Sequence, residues 1–178
     1  MALARSALAA AGLADEDIRA GVESFHALPG RLEFLGEVRG VQVYNDNNAT
    51  TPDATIAALR ALVGEQKNIV LIIGGDEKNL DMSKLLAEIP RVCSRVVLFK
   101  ERGTKRIRDA VFAMKKDGVA VYEEEGLEAT VRCAFAVAEP GETILYSPAF
   151  SSFGAYFKNE YDRNDQFVAV VQKLQKET

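Results

Sequence analysis

Asn68-Ile69-Val70-Leu71-Ile72-Ile73-Gly74-Gly75 decides how the chain is read. An unbroken apolar run with no polar alternate suits a strand covered on both faces, as in a parallel sheet. A glycine pair ends it. Downstream the pattern repeats: a helix over Met82–Ile89, a strand over Arg95–Phe99, a helix over Thr104–Lys116, a strand over Val119–Tyr122, a helix over Leu127–Ala138, a strand over Thr143–Tyr146 and a closing helix over Asn164–Gln175. Upstream, Asp53–Leu62 reads as a helix with Pro52 near its first turn. Two short strands, Leu32–Leu35 and Val41–Tyr44, flank the turn at Arg39-Gly40. Strands alternating with helices of this length imply a parallel sheet with right-handed crossovers. The expected fold is therefore α/β: a Rossmann-like, mostly parallel sheet with helices on both faces.

The first 24 residues differ. Residues 2–11 read as an Ala-rich helix stopped by Gly12, and Asp15-Glu16-Asp17 opens a second short helix running to about Ser24. A helix beginning at residue 2 with no cap reads as cut from a longer protein, so a small N-terminal helical remnant is expected beside the main domain.

Composition narrows the function. A net charge of -4 argues against nucleic acid as a partner, because phosphate neutralisation needs a basic face. A local basic site for a small anion remains compatible with it. No stretch approaches the about 20 apolar residues that span a bilayer, and Met1–Ala11 lacks the basic start of a signal peptide. Cys93 and Cys133 lie far apart in apolar stretches, which reads as buried free thiols in a reducing cytoplasm.

In an open α/β sheet, ligands sit beyond the carboxyl ends of the strands. Four polar loops follow strands here: Asn45–Thr51, Gly74–Asp81, Lys100–Gly103 and Ser147–Phe153. Any one of them is explained by turns and helix caps. Four on one rim, bringing Asp, Lys, Thr and Ser together, favour a polar site. Several chemistries lack their residues. There is no GxxxxGK[ST] phosphate loop and no GxGxxG. His26 is the only histidine, with no G-x-S-x-G to accompany it. Metal-ligand clustering is absent, and Glu123-Glu124-Glu125 reads as a solvated loop.

In order along the chain, Leu28-Pro29-Gly30-Arg31, Asn45-Asp46-Asn47-Asn48-Ala49-Thr50-Thr51, Gly74-Gly75-Asp76-Glu77-Lys78-Asn79-Leu80-Asp81 and Ser147-Pro148-Ala149 with Ser152-Phe153 resemble the C-terminal domain of the Mur ligases, in particular the branch that adds D-glutamate. Phe157-Lys158-Asn159 and Asp162-Arg163 continue the likeness. It implies residues 1–26 as the end of a central ATP-binding domain plus linker, and 27–178 as the C-terminal domain. It also implies Thr50 and Lys78 on the α-carboxylate of D-glutamate, Ser152 and Phe153 on its side-chain carboxylate, and Arg31, Asp46 and Asn48 toward the nucleotide. Ser152 and the Phe153 backbone would donate from the start of a short helix. ATP and Mg2+ would be bound mainly by the central domain, and UDP-N-acetylmuramoyl-L-alanine through domains outside this chain. The setting implied is a cytoplasmic monomer serving cell-wall synthesis, away from membrane and nucleic acid. Alone, the chain is expected to carry no ligation. Ala27-Leu28-Pro29-Gly30 reads as the hinge on which the domain closes.

Departures accompany the likeness. Asn48 stands where the family has lysine, Gly30 where histidine is usual, and Asn164 where the last glycine falls. The stretch Gly154-Ala155-Tyr156-Phe157 is one residue longer. Thr51-Pro52-Asp53-Ala54 resembles the diamino-acid-adding branch, but Lys100-Glu101-Arg102-Gly103 replaces that branch's D-N-P-R. That branch, or a non-catalytic α/β ligand-binding module, is the alternative.

Overall fold

The computed structural model describes residues 2–25, 28–64 and 67–177. Six strands form one sheet: β1 (Glu33–Val38), β2 (Val41–Asn45), β3 (Ile69–Ile73), β4 (Cys93–Phe99), β5 (Ala120–Glu124) and β6 (Thr143–Tyr146). Their order is β1-β2-β6-β3-β4-β5. Only the hairpin pair β1–β2 is antiparallel; every other pairing is parallel.

All five residues of β3 are buried, and the pleat sends them alternately to two cores. Ile69, Leu71 and Ile73 meet α3 (Pro52–Leu62), α4 (Ser83–Val92) and α5 (Thr104–Ala113). Val70 and Ile72 meet α6 (Leu127–Val137) and α7 (Glu160–Lys176). Each such side chain contributes about 1.5–3 kcal/mol on burial. The two-faced burial explains why the strand shows no polar alternation.

From β2 the chain steps through α3, α4 and α5 toward β5, always crossing on one face. It then reverses through α6, on the other face, and inserts β6 between β2 and β3. Right-handed crossovers require that change of face when the direction of travel reverses. The reversal leaves a crevice at the carboxyl ends of β2, β6 and β3.

Several boundaries differ from the sequence reading. Strand β5 runs to Glu124, so Glu123 and Glu124, read as part of a solvated loop, sit in a strand, with Glu123 paired to Arg108. Helix α4 continues through Pro90 and runs into β4 with no intervening loop. Helix α5 ends at Ala113, and Met114–Asp117 tightens to a 3-10 turn closed by Gly118 at φ +81°. Helix α7 begins at Glu160, four residues before the expected Asn164, because the Asn159 side chain caps it by accepting from the Tyr161 and Asp162 N–H groups.

At the N-terminus, α1 (Ala2–Ala10) and α2 (Asp15–Glu23) pack on each other. Ile18 is their only buried residue among those described. No helix among the described residues is long and apolar enough to cross a membrane.

Candidate functional site: a polar rim at the strand ends

The four loops do converge. Thr50, Lys78, Ser152 and Phe153, drawn from three separate loops, line one cavity of about 280 Å³ together with Arg31, Asn48, Ser151, Glu160 and Tyr161. A second cavity of about 320 Å³ adjoins it across Arg31 and Asn48. Asp46 lies there over an apolar floor of Leu32, Ala54, Ala57 and Ala58.

Close backbone approach builds this rim. A Cβ on Gly75 would sit 2.5 Å from the Ser151 carbonyl, and one on Gly74 would collide with the Phe99 carbonyl. Without side chains there, Asp76 and Ser151 exchange backbone hydrogen bonds (2.9 and 3.1 Å). That bridge ties the Lys78 loop to the Ser152 loop. The glycines thus admit the protein's own fourth loop.

A buried arginine, which the sequence reading treated only as part of a likeness, holds the first and fourth loops together. Arg163 on α7 is fully buried. Its Nε donates to Asn47 Oδ1 (2.8 Å), one terminal nitrogen to the Asn47 carbonyl (2.8 Å) and the other to the Phe150 carbonyl (3.2 Å). Asn47 in turn donates to the Glu160 carbonyl (2.9 Å). An arginine after an asparagine cap was visible in the sequence; its burial was not.

The individual residues stand as follows. Asp46 is buried, with Oδ1 accepting from the Leu32 N–H (3.0 Å) and Oδ2 from the Ser147 hydroxyl (2.9 Å). Burial pushes its carboxyl above the ordinary value, against those two hydrogen bonds and the nearby Arg31 charge. Asn48 is engaged at both ends of its amide: Nδ2 donates to the Pro29 carbonyl (3.1 Å) and Oδ1 accepts from Asn47 (3.2 Å). It therefore fastens the domain entrance to the first loop. Lys78 is exposed, and Ser152 is buried.

One expectation needs correcting. Residues 151–158 form no helix, so Ser152 and Phe153 have no helix start to donate from. The Phe153 N–H is taken by Ser151 Oγ (3.2 Å), and its ring stands two-thirds exposed at the cavity edge. Phe153 thus offers a wall in place of a donor. The segment read as a hinge carries hydrogen bonds of its own. Gly30, at φ +68°, accepts from the Asn48 N–H (2.9 Å) and donates to Glu33 (2.9 Å). The Pro29 carbonyl accepts from Asn48 as well, so both residues are bonded to the first loop or to β1. Ala27, the first residue of that reading, lies outside the described residues, as does His26.

A hollow of about 560 Å³ neighbours this site between the third and fourth loops. Its charges are largely paired internally: Arg102 forks onto Asp76 (2.8 and 2.9 Å), and Lys100 meets Glu125 (3.4 Å). In the smaller cavity Lys78, which makes no ion pair among the described residues, meets the polar ends of three loops.

Residues 30–150 match the model of the Mur ligase, glutamate ligase domain family. The chain belongs to the Mur ligases. It is 35% identical over 153 residues to the UDP-N-acetylmuramoylalanine--D-glutamate ligase of Borreliella afzelii, covering 86% of this chain and 33% of that protein. It is 37% identical over 165 residues to the enzyme of the same name from Marinobacter nauticus, covering 93% of this chain and 36% of that one. The chain thus spans about a third of the length of these relatives. The fold is shared with E. coli FolC in complex with ADP (TM-score 0.61, 20% identity, 94% of this chain and 38% of that one).

Proposed function

We propose that this chain is the amino-acid-holding, nucleotide-facing domain of an ATP-dependent Mur ligase that joins D-glutamate to UDP-N-acetylmuramoyl-L-alanine. One observation carries the reading: Thr50, Lys78 and Ser152, far apart in sequence, meet in one cavity beside a second that holds Asp46 over an apolar floor. D-Glutamate brings two carboxylates. Lys78 supplies a mobile cation, and Thr50 and Ser152 supply hydroxyl donors. Arg31 lies between the cavities, where its fork can reach a phosphate, while the alanine floor suits a flat base or ribose. The relatives' printed names support D-glutamate over a diamino acid.

The reaction is amide-bond formation: the L-alanine carboxylate is activated as an acyl phosphate at the expense of ATP, and the D-glutamate amine displaces phosphate. This domain orients the amine and, on closing, excludes water from the acyl phosphate. No three His, Cys, Asp or Glu converge as a metal site among the described residues. The family likeness assigns the Mg2+ that accompanies ATP to the rest of a full-length ligase, as it does the phosphate cradle. The chain alone then turns over no ATP. A monomer in the cytoplasm fits these soluble substrates.

The test is made in a full-length ligase carrying this domain. Lys78→Ala should raise the Michaelis constant for D-glutamate tenfold to a hundredfold, the equivalent of about 1.5–3 kcal/mol for a charged hydrogen bond. The constants for ATP should stay near normal. Equal effects on both, or ligation of a diamino acid in preference to D-glutamate, would overturn the reading.

A further inference from the structure

The cavity that holds Lys78 and Thr50 also contains an acid, which a pocket for a dicarboxylate should avoid. Glu160, the first residue of α7, lines it together with Arg31, Lys78 and Ser152. Among the described residues its carboxylate has no hydrogen-bond or ion-pair partner. Its backbone is nonetheless well fixed. The Glu160 carbonyl accepts from Asn47, Asn47 is gripped by Arg163, and Asn159 caps the same turn. The side chain therefore starts from a rigid point at the cavity wall while its charge is unspent.

Charge counting says what that acid is for. Lys78 gives the cavity one positive group, Arg31, shared with the adjoining cavity, gives a second, and Glu160 gives one negative group. An α-amino dicarboxylate carries the mirror image, two carboxylates and one ammonium. A cavity with the two cations alone would welcome any dicarboxylate. We propose that Glu160 receives the amino group of the incoming amino acid and so makes the site selective for amino dicarboxylates over plain ones. This rests on the D-glutamate reading above and adds a residue to it. The competing explanation is that Glu160 only complements the amino end of a helix, a role that affects stability and not ligand choice.

The experiment is a pair of NMR titrations of the 178-residue chain, one with D-glutamate and one with glutarate, which lacks only the amino group. The unaltered chain should prefer D-glutamate by about tenfold, the scale of one charged hydrogen bond. Glu160→Gln should erase that preference, because D-glutamate loses a partner while glutarate loses a repulsion. If Glu160→Gln melts differently but keeps the preference, Glu160 is a helix-end charge and the assignment falls. If the unaltered chain binds both ligands equally, the assignment also falls while the pocket stands. If it binds neither, the D-glutamate reading fails and takes this one with it.

Discussion

Glu101, at the end of β4, has its carboxylate wedged beneath the turn at Gly154-Ala155, where only a glycine leaves room for it. One oxygen accepts from the Ala155 N–H (3.0 Å); the other is buried with no hydrogen-bond partner among the described residues. Burial holds this carboxyl above the ordinary glutamate value. The Ala155 N–H works against that, the Asp76 charge adds to it, and Arg163 and Arg102 oppose it. The folded chain therefore binds this proton more readily than the unfolded chain does. Its stabilising effect is complete below the unfolded value and is lost as pH rises through the folded one. Glu101→Gln should consequently raise the melting temperature at pH 7 and flatten its change between pH 4 and 7. Asp46, shifted the same way by burial, will leave some slope behind. A variant with the same slope as the parent would show that folding leaves the Glu101 carboxyl unshifted. None of this was legible in Lys100-Glu101-Arg102-Gly103, which gave a polar loop on the right rim and nothing more. The neighbour that buries Glu101 lies 54 residues away.

At the scale of elements, α7 acts as a bolt. It packs Phe167 and Val171 into one core while its first turn reaches over the strand ends to grip two loops through Arg163. Arg163→Met keeps the bulk but strands the Asn47 carbonyl, the Asn47 amide oxygen and the Phe150 carbonyl. With about 1–3 kcal/mol for each unpaired buried group, and partial rescue by water, a loss on the order of 3 kcal/mol is expected in urea unfolding. D-Glutamate affinity should also fall, since Thr50 and Ser152 ride on the loops it holds. Arg163→Lys should recover part of the stability and less of the affinity, because an ammonium cannot fork. A Met variant with parental stability would refute the bolt. Elements themselves were well marked in sequence, because apolar runs such as Ile69–Ile73 and Arg95–Phe99 are local signals. The start of α7 was less well marked, because Asn159 is an ordinary loop residue in sequence until its side chain accepts from the Tyr161 and Asp162 N–H groups. The loop residues Thr50, Lys78 and Ser152 were legible through the family likeness. Glu160 was not, because its place in the cavity depends on where α7 begins.

For the whole molecule, alternation of strands and helices announced a parallel sheet, but not that the last strand lies in its middle. Pairing partners are set by contacts across the whole chain, and no local pattern records them. That placement of β6 has a consequence for how the protein comes into being. Residues 33–45 and 69–124 pair with each other only through Thr143–Tyr146. A ribosome making this chain therefore releases two half-sheets that cannot join until nearly the last residues have emerged. Up to that moment the edges of β2 and β3 are open to mispairing. Chains stopped at Gly141 should then fail to show a cooperative thermal transition. A separately supplied peptide of residues 142–178 should restore one, because it delivers β6 and α7 together. A cooperative transition in the shortened chain would mean that the halves hold together without their keystone. The late strand also makes 141/142 a natural cut for a split version of this domain, whose two pieces would report their own reunion.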